Sequence, residues 1–497
     1  MAKVFPFRGV IYNKAKVIVR LPVKLSARGG CASGAQPTIL GSNSLRSNCQ
    51  SNDYGNVLTQ PYDKIDDKMQ AGYYKKHPFN LIRITKGKDL AGDSDANNKY
   101  TRAGEFFRKW LNQGVLVQDK KPAIYAYYQE FIPYGAKRNP DEHRGGQFIM
   151  KVRKGFIALG KLVEFGKGVH AHERTLLKPK MDRLSTMRQV HGSTGQIFML
   201  YSDPKMTVNK IMDSVTLKHK PDVVARDEYG VYHKAWKITE PKLVNGIVKS
   251  MADKDIFIAD GHHRYETALN YRNEMKAKGL KCAGNESYDN RMMTFVNMKD
   301  EGLLILPTHR LIFGLKSFSP ASFIKKLDKY FWINEYPFKA FGKDEKTVRQ
   351  ELLEDLRITG FSAHALGLAI KGVKKYYMLT LKDEKMMDNV IKEKSSPALK
   401  HLDVNVLHQL VLGKMLGITK ERVAEGEFVN YVRAADEAIA LTQKGKYQMA
   451  FLLNPTKISE LENVSVKNER MPQKSTDFYP KLLSGIVISK INYATTD

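Results

Sequence analysis

An α/β fold built on mixed sheets is what this sequence predicts, and three observations predict it. Short apolar runs rich in β-branched and aromatic residues alternate along the chain with segments whose apolar residues recur every three or four positions. The alternation persists over 497 residues, enough for two to four domains. Hydrophobic residues make up 42% and charge is spread along the chain, so global disorder is excluded.

In chain order, Val4 to Leu21 reads as β-rich because Val17-Ile18-Val19 crowds β-branched residues before Pro22 interrupts. From Leu25 to Asn56 Gly, Ser, Asn and Ala take over without apolar periodicity, the composition of a loop or insertion. Order resumes at Thr59-Gln60-Pro61-Tyr62-Asp63-Lys64, with Tyr62 and Asp63 in a turn. A helix is predicted over Thr101 to Asn112, where Phe106, Phe107, Trp110 and Leu111 form its apolar face. Strands are predicted at Ala123 to Phe131 and Phe156 to Phe165, a helix at Asp182 to Val190, and an apolar run at Ile197 to Tyr201.

Ile256 to Ala259 is a short buried-strand pattern running directly into a helix from about His263 to before Gly279. Tyr265, Ala268 and Leu269 share one face of that helix, and the late Lys276 and Lys278 suit its dipole. Strands follow at Met292 to Met298 and Leu303 to Leu306, closing on Pro307-Thr308-His309-Arg310. Beyond Ser317 come a strand at Tyr376 to Leu381, a helix near Val404 to Leu416 and a strand at Lys444 to Leu453. The loop Met471 to Lys481 then precedes the apolar run Gly485 to Ile488. The expected division is 1–316, with an insertion at 25–56, and 317–497.

The formal charge of +29 admits three partners: nucleic acid, an acidic membrane surface, or small anions such as phosphates. Charge alone does not choose among them, since lysines such as those around Lys276 to Lys281 and Lys392 to Lys394 read as solvated helix faces. Cys31, Cys49 and Cys282 show no CxxC spacing, which fits a reducing compartment. The start MAKVFPFRGVIYN lacks the apolar core of a signal peptide, and no stretch of 18 apolar residues occurs. A cytoplasmic protein without membrane spans is expected. The absence of GxxxxGK[ST], GxSxG, HExxH and a kinase signature set removes the common nucleotide-hydrolase, esterase, zincin and protein-kinase classes.

The segment Asp260-Gly261-His262-His263-Arg264 carries the richest chemistry. A strand ending in Asp-Gly and opening a helix presents unpaired N–H groups at the positive end of the dipole, a ready anion site. Gly261 allows close backbone approach, His262, His263 and Arg264 add donors, and Asp260 offers an oxygen to a divalent cation. The bland alternative is a helix cap. A second cluster, His170-Ala171-His172-Glu173-Arg174-Thr175 followed by Lys178, Lys180, Arg183 and Arg188, suits phosphoryl transfer, where a base positions a hydroxyl and cations neutralise phosphate oxygens. Its HxHE spelling also fits a metal site or an exposed loop. His309 and Arg310, and Lys474 with Ser475 and Thr476, are further anion-binding candidates whose alternative is a cap or a solvated loop.

The motifs VFPFRGV, QPYDKI, HERT, IADGHHRYETAL, LPTHRL, LDVNVLHQL, FLLNPT and MPQKSTDFYPK together resemble the bacterial family long labelled domain of unknown function 1015, from Val4 to Ile488. The 25–56 segment departs from that pattern, as a true insertion or a gene-model artefact. Asp260 to Arg264 also resembles the phosphate-binding turn of the ParB and sulfiredoxin superfamily, which includes kinases that phosphorylate free L-serine to O-phosphoserine. That resemblance implies a ParB/sulfiredoxin-like N-terminal catalytic half with a mixed α/β C-terminal half, active in serine or cysteine metabolism. It implies that Glu173 takes the serine hydroxyl proton, that Asp260 organises Mg2+, and that Gly261 to Arg264 cradle the transferred phosphate, with His263 among the catalytic groups. Relatives use ADP, ATP or pyrophosphate, and the cations Arg174, Lys178 and Arg183 favour compact pyrophosphate. The competing readings are a ParB-type nucleic-acid or nucleotide-switch protein, against which no helix-turn-helix is found, and a non-catalytic metabolite sensor.

Overall fold

The computed structural model describes residues 3–18, 53–134, 136, 149–173 and 177–494, with the backbone alone for 177–179. The described chain groups into two compact units, residues 1–169, 175–304 and 480–497 in the first and residues 170–174 and 305–479 in the second. A single cut after residue 316 is therefore not how the chain divides. The reason is that the last segment returns to the first unit, where Ile488 exchanges both backbone hydrogen bonds with Val10 at 2.8 Å.

The first unit is centred on a mixed sheet. Eight of the nine strands of that sheet, in chain order, are β1 (Val4–Phe5), β2 (Ile124–Phe131), β3 (Lys151–Lys161), β4 (Ile197–Tyr201), β5 (Val223–Arg226), β6 (Tyr232–Ile238), β7 (Ile256–Asp260) and β8 (Asn290–Asn297). They lie in the order β7-β4-β8-β3-β2-β6-β5, with β1 paired to the far end of β3. The β4–β8 pair is parallel and the other pairs are antiparallel. Central strands buried on both faces read as continuous apolar runs, as IFMLY in β4 and IFIA in β7 do. The helices of this unit include α1 (Lys99–Asn112), α2 (Leu177–Val190) and α3 (His262–Ala277). α2 and α3 pack through Leu184, Met187, Tyr271 and Met275, and ion pairs Lys180–Glu266 and Arg188–Glu274, each 2.8 Å, fix their register.

The second unit has a six-stranded antiparallel sheet. Its strands are β9 (His309–Ile312), β10 (Phe331–Pro337), β11 (Ala365–Ile370), β12 (Lys375–Leu381), β13 (Val429–Val432) and β14 (Met449–Leu453), in the order β10-β12-β11-β14-β9-β13. Helices α4 (Lys343–Thr359) and α5 (Ala435–Gln443) cover one face, burying Leu352, Leu356, Ala438 and Ile439 against Leu311, Ala369 and Ala450.

The α/β class with mixed sheets is as the sequence predicts, with local corrections. Val17, at the start of the β-branched cluster, instead ends a short helix, Lys14–Val17, which Asn13 caps by accepting from Ala15 N at 3.1 Å. The helix expected near Val404 becomes a π-helix over Val406–Met415. The 25–56 segment lies outside the described residues up to 52. Its last four residues are built into the fold, with Asp53 accepting from Arg226 N at 3.0 Å and Tyr54 buried. Among the described residues no helix is long and apolar enough to cross a membrane.

Candidate active site in the first unit

β7 ends in Asp260 and turns through Gly261 into α3. Gly261 has φ +102°, the left-handed region, and a Cβ there would stand 3.0 Å from the Arg264 guanidinium carbon. Glycine is needed for both reasons. The register of β7 against β4 slips between Ile258 and Asp260, and such a bulge re-aims the side chain beside it. Asp260 is thereby presented to two cations, Arg264 Nη2 at 3.1 Å on Oδ1 and Lys481 Nζ at 3.0 Å on Oδ2. Burial pushes this carboxyl up, but the Lys481 ammonium and the Arg264 guanidinium outweigh it and hold the group well below the usual carboxylate range.

Arg264 also donates to the Gln196 carbonyl, and it is one of three arginines lining a cavity of about 40 Å³, space for a few water-sized groups. Arg183 of α2 lies 4.1 Å over the Tyr62 ring and donates to Asp182 at 2.8 Å and to the Thr85 carbonyl at 2.7 Å. Arg291 of β8 is 8% exposed. Its Nη1 reaches the Met187 sulfur at 3.3 Å and the Gly192 carbonyl at 3.5 Å, and its Nε has no partner among the described residues. Burial, then the fields of Arg264 and Arg183, lower its pKa to about 9.

The balance of charge decides what this cavity is. Arg183, Arg264, Arg291 and Lys481 face two carboxylates, Asp182 and Asp260. Buried charge is tolerated when compensated, and here the cations outnumber these carboxylates. Pro61, Tyr62, Thr267 and Ser484 complete the lining. An open cleft of about 360 Å³ shares Tyr62, Thr85, Arg183 and Thr186 with it. His263 is half-buried at the start of α3. Burial lowers its pKa, and the charges of Glu266 and Asp63 partly oppose that shift.

Of the residues singled out from the sequence, Asp260, Gly261, His262, His263, Arg264 and Arg183 come together in the first unit. His262 is buried at 5% exposure as the first residue of α3. Arg174 lies outside the described residues, as does the Lys178 side chain. Glu173, His309, Arg310 and Lys474 belong to the second unit. There Glu173 bridges Met471 through the backbone, in parallel, and His172 Nε2 meets Thr476 Oγ1 at 2.9 Å.

His309, Arg310 and Lys474 do not line the arginine cavity. His309 Nδ1 accepts from Leu453 N at 3.2 Å, and burial drives its pKa down to about 3. Arg310 is 2% exposed and donates to the Thr308 and Lys474 carbonyls and to His408 Nε2 at 3.4 Å. Lys474 contributes its carbonyl, and its side chain is exposed.

Asp260 does not fit the metal-ligand role. Both its oxygens are taken by cations, and among the described residues no group of three or more His, Cys, Asp or Glu is placed to hold a metal ion. Its geometry suits a carboxylate that orients Arg264 and Lys481. Sequence reasoning missed Arg291 and the contact made by Lys481. The signal for Arg291 is a guanidinium inside the apolar strand RMMTFV, where a charge needs a reason.

No curated protein matches the chain. Among solved structures, a free serine kinase in complex with AMP is 11% identical with a TM-score of 0.30, covering 70% of this chain and 90% of that one. A conserved hypothetical protein from Pyrococcus furiosus is 12% identical with a TM-score of 0.29, covering 69% and 96%. SbnI with a C-terminal truncation, from Staphylococcus aureus, is 12% identical with a TM-score of 0.29, covering 66% and 85%. Likeness of this size carries no functional argument. The family model described as "Protein of unknown function (DUF1015)" matches residues 39–405, well over half of the 497, and the chain belongs to that family.

Proposed function

We propose that the first unit is a phosphoryl-transfer site and that the protein is a small-molecule kinase, transferring a phosphoryl group from pyrophosphate, ADP or ATP to free L-serine. The observation that carries the phosphate reading is the cavity where three arginines meet, with the buried Arg291 Nε unpartnered among the described residues. Serine as acceptor rests on the resemblance of Asp260 to Arg264 to the phosphate-binding turn of free serine kinases.

In the proposed step the serine hydroxyl oxygen forms a bond to the donor phosphorus, the bond from phosphorus to the leaving oxygen breaks, and the hydroxyl proton passes to a carboxylate. Charge spreads over the equatorial oxygens, and fixed guanidiniums stabilise it without reorganising. Asp63 follows Tyr62, a wall residue of the cavity, and its charge reaches both the Tyr62 hydroxyl and the His263 imidazole, which Glu266 also reaches, so Asp63 is the proposed base. Glu173, the base implied by the resemblance, is carried by the second unit. No step is routed through a metal, since the residues do not fit one.

Phosphorus NMR of the purified protein with L-serine, and with pyrophosphate, ADP or ATP in separate samples, tests the reading. The expected outcome is a phosphoserine resonance that is absent in Arg264→Ala. Silence with every donor overturns the kinase assignment. Asp63→Asn against Glu173→Gln separates the two bases, because the true one alone abolishes turnover while binding persists.

A further inference from the structure

A buried polar network in the first unit ends at both walls of the arginine cavity. It begins at His233 on β6, which is fully buried. The Tyr127 hydroxyl of β2 donates to His233 Nδ1 at 2.7 Å, and His233 Nε2 faces Asp227 Oδ2 at 3.3 Å. These contacts are satisfied by the neutral ring with its proton on Nε2. Asp227 Oδ2 also accepts from Gln60 Nε2 at 3.1 Å, and Gln60 precedes Pro61 and Tyr62, which form one wall.

On the other side, Gln129 Nε2 donates to the Lys481 carbonyl at 2.9 Å and lies 3.3 Å from His233 Nδ1. Arg153 Nε donates to Gln129 Oε1 at 3.0 Å, and Arg153 Nη2 donates to the Pro480 carbonyl. The Tyr127 oxygen accepts from Leu483 N at 3.4 Å. Residues 480–484 carry the second wall, which Ser484 forms. They carry Lys481 to Asp260, place Ser484 on the cavity, and pair with the first wall through Ser484 N and the Thr59 carbonyl at 2.8 Å.

We infer that Gln129, with Arg153 and His233, is a positioning device that sets the two walls of the anion cavity relative to one another, and so fixes Lys481 on Asp260. The inference rests on the phosphate reading of that cavity. Gln129, Arg153 and His233 are not themselves among the residues that line the cavity. They act through the backbone of 480–483 and through Gln60. A half-satisfied buried network is costly, so loss of a single donor loosens both ends. Gln129 is the branch point, because its amide nitrogen reaches Lys481 and the imidazole while its oxygen holds Arg153.

The test uses the full chain with two substitutions, Gln129→Leu and the isosteric Gln129→Glu, which keeps the acceptor for Arg153 and loses the donor to Lys481. Hydrogen exchange of segments 59–64 and 480–485 is measured alongside titration with inorganic pyrophosphate. In Gln129→Glu both segments are expected to exchange at least tenfold faster while β8 and β14 keep wild-type rates, and pyrophosphate affinity is expected to drop about tenfold. Acceleration in one segment alone, in neither, or uniformly across the sheet overturns the inference. If the wild-type protein does not bind pyrophosphate, the phosphate reading fails, and the exchange data still decide whether the walls are coupled. Should Gln129→Leu fail to fold, Gln129→Glu carries the test.

Discussion

Arg291 in the first unit and Arg310 in the second are both strand arginines withdrawn from water, 8% and 2% exposed, and neither has a carboxylate partner among the described residues. They differ in what surrounds them. Arg310 is closed in by two carbonyls and an imidazole, which use its donors on neutral acceptors of its own unit. Arg291 has two long contacts and an idle Nε, and it shares a cavity with two other guanidiniums. The same residue type thus has its donors used in one place and partly idle in the other. A buried cation is read by how completely its donors are used, and not by its burial.

The contrast breaks most sharply on Arg264. Replacing it with Ala removes a guanidinium from the cavity and leaves Asp260 with Lys481 alone, so turnover measured by phosphorus NMR is expected to fall about a hundredfold or more, the size of effect typical for a single charge-stabilising donor. Arg310→Met is expected to act on stability instead. Stranding the Thr308 and Lys474 carbonyls costs about 3 kcal/mol in denaturant unfolding of the second unit, with pyrophosphate affinity unchanged. Arg291→Met separates the two roles within one unit. Pyrophosphate affinity by calorimetry is expected to fall about tenfold, while the melting temperature holds or rises because an uncompensated buried charge has been removed.

The smallest effect is a pH slope. His309 titrates near 3 when folded and near 6.5 when unfolded, so the unfolded chain takes up the proton first as pH falls. Its contribution to stability is complete above about pH 6.5 and is lost toward pH 3, at roughly 1.4 kcal/mol per pH unit. Chemical denaturation between pH 7 and 5 should show at least that slope, to which the buried His408 also contributes, and the slope should fall by about that amount in His309→Gln. An unchanged slope would mean that His309 does not titrate as its burial requires.

The two regions also differ in how far the sequence revealed them. The Asp260 turn was legible because its parts are adjacent: a β-branched strand, a glycine where φ is positive, and donors opening a helix. The rest of that site was not, because it is assembled from afar. Lys481 reaches Asp260 across 221 positions, and Arg291 arrives on a separate strand. The early part of β3 was hidden for a related reason, since Arg153 occupies an inward position in KVRK and disguises the alternation that marks a strand. Glu173, His309, Arg310 and Lys474 are carried by the second unit, and motif spacing does not encode unit membership.

The return of residues 480–494 to the first unit also has a consequence for biogenesis. Chains emerge from the ribosome N-terminus first, at about 5–20 residues per second, and early domains usually fold while later ones are still being made. Here the sheet around β3 and β8 is available early, but the segment that supplies Lys481 and Ser484 appears only after the whole of the second unit. The cluster of guanidiniums must therefore wait, half-built and strongly cationic, while the intervening chain is made. A nascent chain arrested before residue 480 should therefore lack both the Lys481–Asp260 ion pair and the Ser484 wall of that cavity.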